Sequence, residues 1–104
     1  MFKKRRLGRT NLMVSEIGFG GAALSGRGGG YGFGAISEES CQELIEHALG
    51  LGINLFDTAP IYGFGSSEKI LGKYLHNFRD KVIVVNKAGV GWHDNGRVNM
   101  SNEP

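Results

Sequence analysis

The spacing of apolar residues between positions 37 and 50 predicts an amphipathic helix. One stripe of its surface follows the i, i+3, i+4, i+7 and i+8 spacing of a core-facing helix, and it consists of Cys41, Leu44, Ile45, Ala48 and Leu49. Ser37 is the predicted N-cap, and two glutamates occupy the first turn, where carboxylates suit the helix dipole. Gly50 and Gly52 are expected to end the helix. Cys41 belongs to the stripe, so we interpret it as a core residue and not as a reactive thiol.

Two short, mostly apolar runs are predicted to be strands, and a second amphipathic helix is predicted between them. Residues 53–56 and 82–85 have the length of strands, and the second run is β-branched throughout, which is typical of a strand covered on both faces. Between them a helix is expected to start near Ser66 or Ser67 and to fade near residues 76–78. Its inward face is predicted to consist of Ile70, Leu71, Tyr74 and Leu75.

The amino-terminal part of the chain predicts a β-hairpin and then a strand. Two extended pieces surround a turn at residues 9–11, a brief strand follows at residues 17–21, and residues 25–34 form a glycine-rich loop that we expect to be mobile. The complete order is hairpin, strand, helix, strand, helix, strand and loop. Alternation of this kind predicts an α/β fold with right-handed βαβ units and a parallel sheet.

Three parallel strands with two crossover helices leave an exposed sheet edge and a poorly covered sheet face. Residues 102–104, Asn-Glu-Pro, also resemble the opening of another helix. We therefore expect the chain to be the front of a longer protein. Alone, it is expected to be marginally stable or self-associating and without useful turnover, with the rest of the sheet supplied by further chain or by another copy.

Composition and charge exclude several classes of protein. The chain has 104 residues, 18 of them glycine, and a formal net charge of +2, which is too small to indicate a nucleic-acid partner. The basic cluster at residues 3–6 is interpreted as a solvated face, with a phosphate-binding patch as the alternative. No apolar run approaches the ~18 residues of a membrane span, so no membrane partner is expected. A single cysteine predicts neither a disulfide framework nor a metal cluster, and it favours a reducing cytoplasm.

Two glycine patterns match a dinucleotide-binding fingerprint by letter, at residues 18–23 and 30–35. The fingerprint must follow a strand directly and open a helix. The first match opens no predicted helix, and the second follows no predicted strand, so chance matches in a glycine-rich chain are the preferred interpretation. The three histidines indicate little: His47 and His76 fall at solvated helix positions, and His93 is interpreted as a surface loop residue.

Asp57, Tyr62 and Lys87 follow the ends of two neighbouring predicted strands. Parallel α/β folds place their chemistry at the carboxyl ends of the strands, so an acid, a phenol and an amine are expected at one rim. A phenol is ordinarily a poor acid at neutral pH, and a neighbouring ammonium favours its ionised form. Such a trio suits the donation of a proton to a carbonyl oxygen as a hydride reaches the carbon. Spacing alone leaves open a structural salt bridge beside a wall tyrosine.

Several segments, taken in chain order, resemble the amino-terminal part of the aldo-keto reductase family. They are Leu7–Ser15, Ile17–Gly20, Gly52–Gly63, Gly65–Gly72 and Lys87–Gly89. The resemblance implies the amino-terminal portion of a TIM (β/α)8 barrel of roughly 250 residues or more. Residues 1–15 would form a hairpin cap, and residues 16–104 the first strand–helix units. It also implies NADPH-dependent reduction of small aldehydes, ketones or sugar-like substrates, or the reverse oxidation, with NADH as the alternative cofactor.

The resemblance implies a role for each matching position. Tyr62 would be the general acid, Lys87 the group that makes the phenol more acidic, and Asp57 the partner of the lysine. The implied cofactor-binding residues are Gly20, Gly21, Ala22 and Asp57. The implied substrate walls are Phe64 and Trp92.

Some functional residues of the family fall outside the segments that match, and this leaves two other interpretations open. The family's catalytic histidine would follow a fourth strand, past residue 104, and His93 comes too early to replace it. The adenine and 2′-phosphate contacts would also lie beyond the chain. One alternative is therefore a non-catalytic regulatory subunit of the same fold that binds cofactor and a partner protein. The other is an inactive truncated product.

Overall fold

The computed structural model describes residues 2–26 and 34–93, and the backbone of residues 98–99. The predicted glycine-rich loop and the predicted helix opening at residues 102–104 lie mostly or wholly outside these residues. The elements in chain order are β1 (Lys4–Arg6), β2 (Met13–Ser15), β3 (Phe19–Gly20), a 3-10 helix (Gly21–Leu24), α1 (Glu38–Gly50), β4 (Leu55–Asp57), α2 (Ser66–Leu75), a 3-10 helix (His76–Phe78), β5 (Ile83–Val85), β6 (Gly91–Trp92) and β7 (Val98–Asn99).

A parallel sheet with the order β3-β4-β5 positions the carboxyl ends of its strands side by side. Phe19 pairs with Phe56 and Gly20 with Asp57 between β3 and β4, and Asp57 pairs with Val85 between β4 and β5. Because all three strands run in the same direction, the segments that follow them emerge at one rim. The predicted βαβ order and parallel sheet are thus confirmed.

The core is formed where α1 and α2 pack against the sheet. Phe56 of β4 is fully buried between them, and its ring contacts Phe19 of β3 at a centroid distance of 5.4 Å. The remaining buried members of this cluster are Leu24, Cys41, Ile45, Ala48, Ile53, Leu71, Leu75 and Val82. Burial raises the pKa of the Cys41 thiol, with the Glu38 carboxylate adding to the effect, so this cysteine is a core residue as predicted.

The prediction for the apolar stripe of α1 is wrong at Leu44, whose side chain is 44% exposed. Successive helical residues are separated by about 100° around the axis. Leu44 therefore lies at one margin of the stripe, whereas Cys41, Ile45 and Ala48 form its centre and are buried. The end of the helix also differs slightly, since Gly50 is still helical and Gly52, at φ +89°, turns the chain away.

β5 is not covered on both faces by the described part of the chain, contrary to the expectation for a β-branched strand. Ile83 and Val84 are half-buried, and Val85 is 41% exposed. The sheet order places β5 at the edge, so within the described residues β5 pairs with β4 alone. The β-branched run therefore indicates a more enclosed environment than these residues supply.

Residues after Lys87 were expected to form a loop, but they include the antiparallel pair β6–β7, with Trp92 opposite Val98. Each strand has only two residues, so no alternation of apolar and polar positions reveals it. The sequence between the strands does contain Asn95-Gly96, a dipeptide that strongly favours hairpin turns. That dipeptide was the feature of the sequence from which a hairpin could have been predicted.

The β1–β2 hairpin is attached to the amino-terminal end of the sheet by Asn54. The Asn54 side chain accepts a hydrogen bond from the Ser15 backbone at 2.7 Å and donates one to the Met13 carbonyl at 2.9 Å. The Asn54 backbone N–H also donates to Ser15 Oγ. The hairpin thus lies at the opposite end of β4 from Asp57. In the described residues, no helix is long and apolar enough to cross a bilayer.

Candidate active site

Asp57 is placed at the rim because it is the last residue of β4. Side chains alternate across a strand, so the burial of Phe56 in the core directs its neighbour to the other face. The next residue, Thr58, extends the pairing by donating its backbone N–H to the Val85 carbonyl at 2.8 Å. The Asp57 carboxylate is therefore carried on hydrogen-bonded backbone between two strands.

Lys87 follows the end of β5 and reaches back over β4. Its Nζ lies 2.8 Å from Asp57 Oδ1 and 2.9 Å from the Thr58 carbonyl oxygen, and it donates to both. The side chains of Lys87 and Asp57 are 46% and 45% exposed. An ion pair this open to solvent adds little to the stability of a fold. The ion pair is therefore better explained by the position in which it holds the Lys87 ammonium at the rim.

Tyr62 lies against the same ammonium. Lys87 Nζ is 5.1 Å from the centroid of the Tyr62 ring, within the range of a cation–π contact. The loop that carries Tyr62 is closed by a hydrogen bond from its N–H to the Ala59 carbonyl and by one from the Ser67 N–H to the Tyr62 carbonyl. Buried Ala59 and Ile61 anchor the loop just before half-buried Tyr62.

The surroundings of Lys87 raise its pKa above the ordinary lysine value. The hydrogen bond to Asp57 is the largest cause, and Tyr62 adds to it, while partial desolvation acts in the opposite direction. The amine is consequently a persistent cation at neutral pH. The structure thus brings together all three residues that the sequence predicted at this rim: a carboxylate, an ammonium held by it, and a phenol beside the ammonium.

Gly20 and Gly21, predicted at the cofactor, lie beside Asp57 but in different surroundings. Gly20 is exposed, and a side chain added there would meet no atom within 4 Å. Gly21 is buried, and a Cβ there would collide with the Asp57 carbonyl oxygen and lie 2.7 Å from Ser67 Oγ. The backbone of Gly20 is thus exposed at the rim, whereas the absence of a side chain at Gly21 permits close packing against Asp57 and Ser67. Ala22, half-buried in the same 3-10 helix, follows them.

The two predicted substrate walls, Phe64 and Trp92, are in contact with each other. Their ring centroids are 5.1 Å apart with an interplanar angle of 45°. Phe64 has φ +52° and lies between Gly63 at +67° and Gly65 at +97°. A left-handed backbone is unfavourable for a bulky L-residue, and such strain is concentrated at functional sites. Phe64 is therefore held in place by its neighbours.

Hydrogen bonds around the site also involve residues to which the sequence analysis assigned no functional role. Thr58 and Ser67 are buried, and their hydroxyls are 2.8 Å apart. Asn86 donates from Nδ2 to Glu68 Oε2 at 2.8 Å, and its Oδ1 accepts the backbone N–H of Lys87 at 2.8 Å. Glu68 is the acid in the first turn of α2, the helix that directly follows the Tyr62 loop. That position was the signal that it lies near the rim.

The histidines take no part in this cluster. His47, His76 and His93 are all exposed, as expected from the sequence. Within the described ranges, no group of three or more histidine, cysteine, aspartate or glutamate side chains is arranged to hold a metal ion.

Comparisons with known proteins assign the chain to a family. The family model described as "Aldo/keto reductase family" matches residues 16–103. Among curated proteins, the chain is 42% identical over 88 residues to an aldo-keto reductase of Bacillus subtilis, covering 83% of the chain and 25% of that protein. It is 43% identical over 88 residues to L-galactose dehydrogenase of Arabidopsis thaliana, covering 82% and 26%. It is 41% identical over 96 residues to an NADH-specific methylglyoxal reductase of Escherichia coli, covering 90% and 28%.

Solved structures give the same assignment. The holo form of an aldo-keto reductase from Bacillus halodurans superposes with a TM-score of 0.75 at 34% identity, covering 93% of this chain and 29% of that one. A glycerol dehydrogenase from Gluconobacter oxydans superposes with a TM-score of 0.74 at 32% identity, covering 93% and 30%. The chain thus spans about a quarter to a third of the length of these relatives, and its fold is that of the amino-terminal portion of their barrel. The chain belongs to the aldo/keto reductase family.

Proposed function

We propose that this chain supplies the proton-donating part of an NAD(P)H-dependent oxidoreductase that reduces aldehydes or ketones, or oxidises the corresponding alcohols. The observation that carries the proposal is the contact of Lys87 Nζ with both the Asp57 carboxylate and the Tyr62 ring. The printed names of the relatives, which include a methylglyoxal reductase and two dehydrogenases, support a small carbonyl compound or alcohol as substrate. The complete active site is proposed to form in a whole barrel, with residues 1–15 as its hairpin cap, in the cytoplasm.

The proposed chemistry uses Tyr62 as the general acid in the direction of reduction. As hydride adds to the carbonyl carbon, the oxygen gains negative charge, and the phenol O–H of Tyr62 transfers its proton to that oxygen to give the alcohol. The phenolate left behind is stabilised by the ammonium of Lys87. Asp57 keeps that ammonium charged and in place. In the oxidation direction the same groups act in reverse, with Tyr62 as the base.

The exposed backbone at the end of β3 suits a flat cofactor ring beside this cluster. Gly20 has open space where a side chain would be, and it pairs in register with Asp57. NADPH or NADH, when bound, supplies the hydride. We propose that Gly20, Gly21, Ala22 and Asp57 border the cofactor, with Gly21 acting through its close packing. The aromatic pair Phe64–Trp92 is proposed as a wall for the substrate.

The substitution Tyr62→Phe in the full-length protein tests the proposed role of the phenol. It removes one hydroxyl and keeps the ring that lies against Lys87. Loss of a general acid costs typically 10²- to 10⁴-fold in rate, so kcat for carbonyl reduction should fall by about that factor. Binding of NADPH, followed by the change in protein fluorescence, should persist.

Tyr74→Phe provides a matched control, because Tyr74 is a half-buried residue of α2 whose ring contacts Lys73 and not Lys87. Tyr74→Phe should retain wild-type turnover. If Tyr62→Phe retained it as well, Tyr62 would not be the general acid. If the wild-type protein oxidised neither NADPH nor NADH with any aldehyde or ketone tested, the oxidoreductase proposal itself would be wrong.

A further inference from the structure

Two consecutive residues in the first turn of α2 reach the two segments that hold Lys87. Ser67 contacts Thr58, which follows β4, and Glu68 contacts Asn86, which follows β5. Both contacts are made by side chains, and each leads to a different part of Lys87. The first turn of α2 is thus bonded to both strands that carry the proposed catalytic groups.

The contact through Glu68 ends at the backbone of Lys87. Glu68 Oε2 accepts a hydrogen bond from Asn86 Nδ2 at 2.8 Å, and Asn86 Oδ1 accepts the N–H of Lys87 at 2.8 Å. An amide side chain is free to rotate by 180° and exchange its oxygen with its nitrogen. A carboxylate accepts hydrogen bonds only, so the Glu68 contact selects the orientation in which the Asn86 oxygen faces Lys87.

The contact through Ser67 leads to the ammonium end of Lys87. The Thr58 carbonyl accepts a hydrogen bond from Lys87 Nζ at 2.9 Å, and the Thr58 hydroxyl lies 2.8 Å from Ser67 Oγ. Thr58 is 2% exposed, and Ser67 is fully buried. Buried hydroxyls need partners, so each of them fixes the other, and the carbonyl of Thr58 is held in place with them.

A purely local role for Glu68 explains less of this geometry. The N-cap of α2 is Gly65, which has no side chain to cap the helix, and the Glu68 carboxylate is directed to Asn86. The helix dipole stabilises a carboxylate in the first turn whichever way its side chain points. The dipole therefore accounts for the negative charge at this position but not for the bond to the residue that precedes Lys87.

We propose that Glu68 and Asn86 are positioning residues for Lys87, and that with Ser67 and Thr58 they fix the lysine at its backbone and at its ammonium. This inference rests on the proposed function, since it assigns these residues to the placement of the proposed catalytic lysine. Neither Glu68 nor Asn86 acts on the substrate. Their contribution is to keep the ammonium at the distance from Tyr62 that proton transfer requires.

Two substitutions of Glu68 in the full-length protein separate the hydrogen bond from the charge. Glu68→Ala removes both, whereas Glu68→Gln removes the charge and keeps an oxygen that can accept from Asn86. Glu38→Ala is the control, because Glu38 is likewise a first-turn acid whose side chain bonds a residue of another element, Lys73 of α2, and it does not touch the Lys87 segment. Asn86→Ala removes the same contact from its other side, together with the hydrogen bond from the Lys87 N–H.

Two readouts are measured on each variant. The first is the split between kcat and KM for carbonyl reduction. A single hydrogen bond contributes about 1 kcal/mol net, or about fivefold, so Glu68→Ala and Asn86→Ala should each lower kcat by about that factor and change KM less than twofold. The second is the rate at which acetic anhydride acylates Lys87, relative to exposed Lys81 in the same sample. That ratio should rise when the lysine is released from its partners.

The proposal predicts that Glu38→Ala behaves like wild type in both readouts. It predicts that Glu68→Gln is less impaired than Glu68→Ala, because the glutamine oxygen can still accept from Asn86 although its amide group no longer excludes the rotated Asn86 side chain. It also predicts that the double variant Glu68→Ala/Asn86→Ala is no worse than Asn86→Ala alone, because Asn86→Ala already removes the contact with Glu68. The proposal is overturned if Glu68→Ala matches Glu38→Ala, or if Glu68→Gln is as impaired as Glu68→Ala. If Glu68→Ala does not fold, Asn86→Ala decides by the same criteria. The acylation ratio needs no turnover, so it decides the inference even if no carbonyl is reduced.

Discussion

Gly21 is the residue whose replacement should most clearly test the close packing at this rim. In Gly21→Ala the added Cβ would collide with the Asp57 carbonyl oxygen and lie 2.7 Å from Ser67 Oγ and 3.3 Å from Thr58 Cβ. Non-bonded heavy atoms prefer separations of about 3.5–4.0 Å, so the backbone at Gly21 and β4 must separate by roughly 1 Å. Overpacking of a well-packed site costs typically 1–3 kcal/mol. We expect the free energy of unfolding to fall by about that amount.

Gly20→Ala is the control, since the neighbouring glycine has open space at the same position and an extended backbone at φ −86° and ψ 111°. Urea unfolding of the full-length protein, followed by circular dichroism, measures both variants against wild type. The Gly20 variant should lie within about 0.5 kcal/mol of wild type, as surface substitutions usually do. Equal stability of the two variants would refute the close packing of Gly21 against β4.

Two further predictions concern stability and use the same urea assay. Phe64 has φ +52°, so Phe64→Ala keeps the backbone strain and Phe64→Gly relieves it, whereas both variants lose the contact with Trp92. Phe64→Gly should therefore be more stable than Phe64→Ala by about 1 kcal/mol. The reverse order of stability would contradict a strained backbone at Phe64. Asn54→Ala leaves the buried Ser15 N–H without its partner, so it should destabilise the protein by about 1–3 kcal/mol. Exposed Asn77→Ala is its control, and an equal effect of the two would contradict the role of Asn54 in holding the hairpin.

The sequence predicts the elements of this fold where local patterns agree with tertiary packing. α1 begins at Glu38 because the side-chain oxygen of its N-cap, Ser37, accepts from the Ser40 N–H, and a serine at this position is visible in the sequence. The prediction that Leu44 is buried fails because an apolar residue at the margin of a stripe is buried only if a neighbouring element contacts it. β6 and β7 are too short for a periodic signal, so the prediction of a loop missed them.

The site was predictable to the extent that strand ends determine it. Asp57 and Lys87 meet because adjacent parallel strands end at the same level, a consequence of topology that the apolar runs already indicate. The contact of Glu68 with Asn86 depends on the direction of two side chains across the gap between a helix and a strand. No spacing along the sequence encodes that direction, so the contact emerges only from the structure.

The titration of Lys87 tests most directly whether Asp57 holds the ammonium beside Tyr62. Protein carrying 13C-labelled lysine is titrated by NMR, and the Lys87 resonance is assigned by its loss in Lys87→Arg. Because the folded-state pKa is raised, the stabilisation from this contact is present below the ordinary lysine value of about 10.4 and is lost as the pH rises through the higher folded-state pKa. We predict that Lys87 titrates above the ordinary lysine value and that Asp57→Asn lowers its midpoint toward that value. A Lys87 midpoint at the ordinary value, and unchanged in Asp57→Asn, would contradict the account.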